Sequence, residues 1–298
     1  MNITKLRRLW FSISGILVLF SIASVSIFGF NMGLDFTGGA RWQIAFEEET
    51  PKTDLEGFFG KQELKQDFQI QVAEDNEFLI TIEDLPDAKL QEIAGALKEE
   101  VGSFEEIAYR KVDSTIGASF KTKAMYAILS ALAGIIIFVA FVFRKIPAAI
   151  NPWRFGGVAI LALFHDILIV LGIFVALGSF IDVELDLQFI TALLATLGFS
   201  VNDTIVILDR VRENIEIQKG QKSFEDTVED SVQQTLLRSI NTSVSTLLPL
   251  LALLFWGADS IFYFVLALVI GIVIGTYSSI FLAAPMLAAW KSWADSRS

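Results

Sequence analysis

The stretch GGVAILALFHDILIVLGIFVALG, residues 156–178, decides the fold class of the chain. It contains no Lys, Arg or Glu, and its one carboxylic acid is Asp166. About 20 apolar residues in a helix cross a hydrocarbon core about 30 Å thick, because each residue adds about 1.5 Å. The stretch therefore predicts a transmembrane helix with Asp166 about 15 Å inside it, near the bilayer midplane.

Similar apolar runs recur along the chain, whose residues are 53% hydrophobic. Together they predict an α-helical polytopic membrane protein with six transmembrane helices. The first run is longer than the apolar core of a typical signal peptide, so we expect a retained anchor. The predicted spans are residues 9–30, 124–143, 156–178, 187–208, 239–257 and 261–287.

Charges that flank the spans predict the orientation. Six crossings place both termini on one side, and the short loops of the other side, 179–186 and 256–260, carry acids and no Lys or Arg. Because basic residues are retained in the cytoplasm, we expect both termini to be cytoplasmic. The basic residues on that side are Lys5, Arg7, Arg8, Arg144, Lys145, Arg154, Lys291 and Arg297.

The polar segment 31–123 predicts a small α+β domain outside the membrane, between the first and second transmembrane helices. Alternating and helix-like patterns follow one another in the order βαββαβ, which is compatible with a ferredoxin-like fold. Nothing in the segment resembles a catalytic pattern. The strand patterns are residues 40–47, 68–73, 77–83 and 104–113, and the helical ones are 53–65 and 87–100.

Three parts of the chain are thus expected: a cytoplasmic N-terminus with the first span (1–30), the extracytoplasmic domain (31–123) and a bundle of five helices (124–298). Within the bundle, residues 209–238 carry charges of both signs and a helical apolar stripe, with Ser223 as a cap. We expect an amphipathic connecting helix at the cytoplasmic membrane surface, either a linker or a docking site for a partner.

Composition excludes several chemistries. The chain has no Cys and one His, His165, so it can hold no disulfide, thiol nucleophile, iron–sulfur cluster or multi-histidine metal site. Gly57, Gly60 and Lys61 do not have the spacing of a nucleotide-binding P-loop. We therefore expect no cofactor, no metal, no nucleic-acid partner and no enzymatic activity.

Ionisable side chains within the spans are the candidate functional residues, because a charge in hydrocarbon is costly. Asp203 lies about 7 Å inside the cytoplasmic end of the fourth span, and Arg238 begins the fifth span on the same side. Their depths are compatible with an ion pair. Asp166 lies deeper, beside His165.

Polar residues continue this pattern at helical spacing on the fourth and fifth spans. If the two stripes face one another, they form a hydrated path in which movement of Arg238 relative to Asp203 switches the acid between its charged and protonated forms. A proton relay is one interpretation, and helix packing through hydrogen bonds is the other. The stripe residues are Thr196, Ser200, Asn202, Thr204, Asn241, Thr242, Ser245 and Thr246.

Glycines mark two further features. The motif GLDFTGG at 33–39, with Gly33, Asp35, Gly38 and Gly39, predicts a tight turn after the first span, and a hinge for the outer domain is the functional alternative. The G-x-x-x-G of Gly271 and Gly275 predicts close helix packing.

The chain resembles the SecF family, the smaller subunits of the SecD/SecF accessory complex of bacterial protein translocation, within the resistance-nodulation-division superfamily. Five stretches carry the resemblance and together run nearly end to end. They are GLDFTGG (33–39), VDSTIGASF (112–120), FHDILIVLG (164–172), GFSVNDTIVILDRVREN (198–214) and LRSINTSVSTLLPLLALLFWG (237–257).

The resemblance implies a subunit of the bacterial inner membrane that uses the proton motive force with SecD to promote export through SecYEG. It implies contact with SecD, SecYEG, membrane lipid and a translocating unfolded polypeptide. The family's intramembrane Asp and Arg correspond to Asp203 and Arg238, and Asp166 matches a further family position.

Three alternatives stay open. Half of a proton-coupled exporter of small molecules or lipids would have the same six-helix design, and a passive translocon scaffold would need no proton flow. An intramembrane aspartyl protease would use two membrane acids, but its GxGD motif is absent, since Val-Asn precedes Asp203 and Phe-His precedes Asp166.

Overall fold

The computed structural model describes residues 2–62, 68–74, 76–82, 85–145, 152–218 and 221–295. It divides into two compact units, each treated by itself below. One unit combines Met1–Asn31 with Ala127–Ser298, and the other is Met32–Tyr126. Arg297 and the ends of two predicted elements, residues 63–65 and 83, lie outside the described residues.

The helices and strands alternate as the sequence pattern predicts. Short 3₁₀ turns at Phe143–Lys145 and Asp259–Ile261 and a π-helical segment at Ser279–Ala283 interrupt them. In chain order the elements are α1 (Arg7–Phe28), α2 (Leu34–Thr37), β1 (Gly39–Phe46), α3 (Lys52–Phe59), β2 (Gln69–Glu74), β3 (Glu77–Ile82), α4 (Asp87–Glu100), β4 (Phe104–Val112), α5 (Ser114–Val142), α6 (Pro152–Ile181), α7 (Leu187–Gln218), α8 (Phe224–Trp256), α9 (Phe262–Ser278) and α10 (Ala284–Asp295).

Within the described residues, six helices are long and apolar enough to cross a membrane, as predicted. They are α1, α5, α6, α7, α8 and the continuous run formed by α9, the π-helical segment and α10. The helices differ in how much of their most apolar stretch is buried. About half or more of it is buried in α6, in α7 and in the last run, whereas most of it is exposed in α5 and α8. The chain is therefore a multi-pass membrane protein with a three-helix centre.

The predicted connecting helix at 209–238 is wrong. Its first part continues α7 to Gln218, and its second part begins α8 at Phe224, so the two transmembrane helices extend as an antiparallel hairpin. The apolar stripe that suggested a membrane-surface helix packs inside this hairpin, where Val211, Val228 and Val232 are fully buried. The predicted cap is confirmed, since Ser223 Oγ accepts a hydrogen bond from the Asp226 amide.

The hairpin also holds the segment that precedes α1. Glu229 accepts hydrogen bonds from the amides of Ile3 and Thr4 at 3.0 and 2.8 Å and from the Thr4 hydroxyl at 2.9 Å. The Ile3 side chain is fully buried in the membrane-unit core. Arg7 adds an ion pair to Glu225 at 3.2 Å. We call this contact between residues 3–4 and Glu229 the N-terminal latch.

The second unit is a four-stranded antiparallel sheet in the order β2-β3-β1-β4. β3 lies between β1 and β2, which is the split βαβ arrangement, and the predicted ferredoxin-like fold is confirmed. Alternate residues of β1 and β3 are buried, as expected for a sheet covered on one face. Its core includes Trp42, Ile44, Ile80, Leu55 and Leu97.

The GLDFTGG motif forms the single helical turn α2 and enters β1. Asp35 is buried and accepts a hydrogen bond from Arg110 of β4 at 2.9 Å. Gly39 has φ +118°, where a side chain is strained, and a Cβ there would lie 2.6 Å from the Ile82 carbonyl oxygen. A Cβ on Gly117 of α5 would lie 2.9 Å from the Gly38 nitrogen. The turn is thus tightly packed, and its role as a hinge stays a prediction.

We expect Glu229→Ala to open the N-terminal latch. Hydrogen bonds to a charged acceptor each stabilise by about 1.5 kcal/mol or more, so losing the two amide contacts that remain when Thr4 is replaced by Cys is expected to raise the exposure of residue 4 at least about tenfold. Because the chain has no Cys, the maleimide labelling rate of Thr4→Cys reports this exposure directly. Glu216→Ala, at an exposed position of the same hairpin, is the control. Equal labelling rates in Thr4→Cys alone and in its combinations with Glu229→Ala and with Glu216→Ala would show that the latch does not protect this residue.

Candidate functional site

Two buried carboxylic acids lie at the centre of the membrane unit. Asp166 of α6 is 4% exposed and Asp203 of α7 is 6% exposed. The last helical run supplies two consecutive serines, Ser278 and Ser279, which are fully buried. We call these four residues, together with His165 and Ser200, the two-acid cluster.

Both oxygens of Asp166 have partners. Oδ2 accepts hydrogen bonds from the Ser200 hydroxyl and from the Ser278 hydroxyl, the latter at 2.7 Å. Oδ1 lies 2.8 Å from Nδ1 of His165. Three elements therefore meet at this carboxyl group: α6, α7 and the end of α9.

Asp203 is held by the next serine in the chain. The Ser279 hydroxyl lies 2.8 Å from Asp203 Oδ2 and 3.0 Å from the Thr276 carbonyl oxygen of its own helix. Ser278 has acceptors of the same two kinds, Asp166 Oδ2 and the Gly275 carbonyl oxygen 3.1 Å away. Each serine thus lies within hydrogen-bond distance of one acid and one backbone carbonyl.

The local sequence explains how one short segment reaches both acids. Consecutive residues on a helix point about 100° apart, so Ser278 and Ser279 face different neighbours. The π-helical segment begins at Ser279, and such irregular turns are frequent at functional sites.

Glycines on α9 allow this close approach, as the G-x-x-x-G pattern predicts. A Cβ on Gly271 would lie 2.3 Å from a side-chain carbon of Thr196, and one on Gly275 would lie 2.9 Å from the Ser200 Cβ. Thr196 and Ser200 are therefore packing residues of the α7–α9 contact, and Ser200 is also a donor to Asp166.

The structure does not form the expected pair between Asp203 and Arg238. The Arg238 side chain is exposed, and among the described residues it makes no hydrogen bond or ion pair. The pair was predicted from depth alone, and depth does not fix the direction in which a side chain points. α8 contacts α9 through Ser243, whose hydroxyl lies 2.6 Å from that of Thr276.

The predicted polar stripe of α8 likewise faces away from α7. Asn241, Thr242 and Ser245 are exposed, and the two hydroxyls bond back to carbonyls of α8 itself. Thr242 precedes the contact residue Ser243, which places it about 100° around the helix. The two stripes do not face one another, so the expected hydrated path between them is not formed within this chain.

Other predicted positions differ in their surroundings. Asn202 is exposed on α7, whereas Thr204 is buried and its hydroxyl has no partner among the described residues. Sequence reasoning missed Ser278 and Ser279, although they follow Gly271 and Gly275 at the same three- and four-residue spacing.

The electrostatics of the cluster are unusual for two buried acids. In the described part of the chain, no Lys or Arg forms an ion pair or hydrogen bond with Asp166 or Asp203. An unpaired carboxylate is costly in hydrocarbon, and protonation removes that cost. No group of three or more potential metal ligands occurs in the regions that the structure describes. Protonation is the chemistry that these residue types can carry out.

Adding a methyl group at Gly271 is expected to separate α9 from α7. Overpacking a tight contact costs about 1–3 kcal/mol, so Gly271→Ala should lower the thermal unfolding temperature in detergent. Gly198→Ala of α7 is the matched control, because a Cβ there meets nothing within 4 Å. The α7–α9 contact would be less tight than described if the two variants unfolded at the same temperature.

Comparisons with known proteins agree with this architecture. The family of protein export membrane proteins SecD/SecF, C-terminal part, matches residues 92–293, and the SecD/SecF GG motif matches residues 23–49. The SecF protein translocase subunit of Thermobaculum terrenum is 39% identical over 305 residues, covering 98% of this chain and 94% of that relative.

Two solved structures of SecDF share the fold. One, of a translocon-associated membrane protein from Thermus thermophilus, has a TM-score of 0.85 and 33% identity over 98% of this chain. The other, SecDF in a super-membrane-facing form, has a TM-score of 0.69 and 31% identity. This chain spans 39% of each SecDF chain. These relatives are transport proteins by name, and the chain belongs to the SecF family of protein translocase subunits.

Proposed function

We propose that this chain uses the proton motive force, together with SecD, to promote protein export through SecYEG. The observation that carries the proposal is the hydrogen bonding of Asp203. Its one described side-chain partner is a serine hydroxyl, which can either donate or accept, and no cation of the described residues fixes its charge.

The geometry at Ser279 accommodates both forms of the acid. When Asp203 is ionised, the Ser279 hydroxyl donates to it. When Asp203 is protonated, its own O–H donates to Ser279, whose hydroxyl turns to the Thr276 carbonyl oxygen at 3.0 Å. A proton can therefore be gained or lost without leaving a buried hydroxyl unpaired.

Such a group can couple proton flow to movement. A carboxylate is disfavoured in hydrocarbon and favoured where water reaches it, so conformations that expose or bury Asp203 bind its proton with different affinity. A proton that crosses the membrane potential yields about 2.3 kcal/mol per 100 mV, which can bias such a conformational cycle.

The exposed face of α8 supports SecD as the partner. Arg238, Asn241 and Ser245 are exposed on a helix that crosses the membrane, where lipid would be a costly neighbour for the guanidinium. This chain matches 39% of the SecDF chain, so the remainder of that chain can contain a SecD part fused to it. We therefore assign the α8 face to SecD, and Arg238 to the boundary between the subunits.

The remaining assignments follow from charge asymmetry and from the family. We place the chain in the bacterial inner membrane with both termini in the cytoplasm, because basic residues flank the spans on that side. The sheet unit is then extracytoplasmic, where it can meet an unfolded polypeptide that leaves SecYEG.

The test is export of a secretory protein into vesicles that lack endogenous SecD and SecF and are reconstituted with SecD plus this chain. We expect Asp203→Asn to lose the export gained from the proton gradient, because an amide cannot exchange a proton there. Asp209→Asn, six residues further along α7 at a partly exposed position, should behave like the wild type.

Insertion is checked by matching the abundance of the variants in the vesicle membrane. The proposal predicts that collapsing the gradient reduces the wild type to the level of Asp203→Asn. Equal export by wild type and Asp203→Asn at matched abundance would instead favour a passive scaffold.

A further inference from the structure

The pair formed by His165 and Asp166 is not used by the mechanism above. Both oxygens of Asp166 have partners: Ser200 and Ser278 donate to one, and His165 Nδ1 lies 2.8 Å from the other. When Asp166 is ionised, its oxygens can only accept, so the neighbouring ring nitrogen must be the donor. Nδ1 of His165 then carries a hydrogen, which leaves Nε2 as the atom with a free electron pair.

Charge balance favours binding of a proton at Nε2 of His165. With His165 neutral, the pair carries one negative charge in hydrocarbon. Within the described residues no Lys or Arg contacts the pair. His165 Nε2 is buried and has no hydrogen-bond partner there. A proton bound at Nε2 would convert the pair into a neutral imidazolium–carboxylate, which hydrocarbon tolerates better.

Titratable groups of two neighbouring helices lie close to this pair. α9 contributes Tyr277, whose ring stacks beside that of His165 with centroids 6.4 Å apart. The Tyr277 hydroxyl shares a hydrogen bond with Ser14 of α1 and donates to the Trp10 carbonyl oxygen. α7 contributes Asp203, which contacts the serine next to Ser278. These two neighbours among the described residues are a phenol and an acid, and neither supplies a positive charge.

Ser278 links this pair to the rest of the cluster. Its hydroxyl lies 2.7 Å from Asp166 and 3.1 Å from the Gly275 carbonyl oxygen, the same choice that Ser279 has at Asp203. Because the two serines are consecutive in the chain, any rotation of this segment changes both contacts together.

We propose that His165 and Asp166 form a second proton-binding site of this chain, in which His165 Nε2 receives the proton and the consecutive residues Ser278 and Ser279 connect the site to Asp203. The proposal deepens the proposed proton-coupled function and rests on it for its biological role. The proton binds reversibly at Nε2 and leaves to water when the cluster is exposed, so no further reactant is needed.

Nuclear magnetic resonance of ¹⁵N-histidine is the test, because His165 is the one histidine of the sequence. The full chain is purified without a histidine tag and reconstituted in lipid. We expect a neutral ring protonated at Nδ1 at alkaline pH and a ring protonated at both nitrogens at acidic pH. A ring that carries its hydrogen on Nε2, or one that never titrates, would overturn the proposal.

Two variants separate proton binding from mere packing. Asp166→Asn removes the balancing charge, so half-protonation should require at least about a tenfold higher proton concentration. Ser278→Ala removes one donor from the Asp166 carboxylate. Half-protonation of His165 should therefore occur at a lower proton concentration than in the wild type. Asp209→Asn is the control and should titrate as the wild type does. Titration unchanged in both cluster variants would contradict the assignment.

The titration of His165 is measured without SecD and without export. The second proton-binding site can therefore be disproved independently of the proposed function. If His165 does not titrate while Asp203→Asn still loses gradient-driven export, the second site is wrong and the motor role stands. If His165 titrates as expected while Asp203→Asn exports normally, the site binds protons without driving translocation.

Discussion

The cost of a carboxylate inside hydrocarbon is the constraint on which the rest of this structure depends. Asp166 and Asp203 are both almost completely buried, and in the described part of the chain neither contacts a Lys or Arg. Hydroxyl groups and one imidazole take the place of cations. Since hydroxyls reach only a short distance, the helices that carry them must lie very close together.

That requirement accounts for the centre of the membrane unit. Gly271 and Gly275 let α9 approach α7 until a methyl group would collide with Thr196 or Ser200. The same helical run then presents Ser278 and Ser279 to two different acids. Close packing against α7 and contact with both buried acids are therefore properties of one helical run. The polar face of α8 lies outside this arrangement, and we assign it to a partner subunit.

The sequence predicted those features that depend on hydropathy and on periodicity. The six spans and the ferredoxin-like sheet follow from apolar runs and from alternation, and both were confirmed. The connecting helix at 209–238 was wrong, because an amphipathic pattern cannot distinguish a helix on a membrane surface from one packed in a hairpin. The Asp203–Arg238 pair was inferred from depth alone, which leaves rotation about the helix axis undetermined. Ser278 escaped notice because serine is common wherever membrane helices pack.

The most direct test of the central claim is the infrared difference spectrum between acidic and alkaline pH for this chain reconstituted with SecD. Infrared absorption separates a protonated carboxyl group from a carboxylate. We expect a carboxyl band that disappears as the pH rises and that is missing from Asp203→Asn but present in Asp209→Asn. Identical difference spectra for the wild type and Asp203→Asn would show that Asp203 does not exchange a proton, which would contradict a proton-coupled role for this residue.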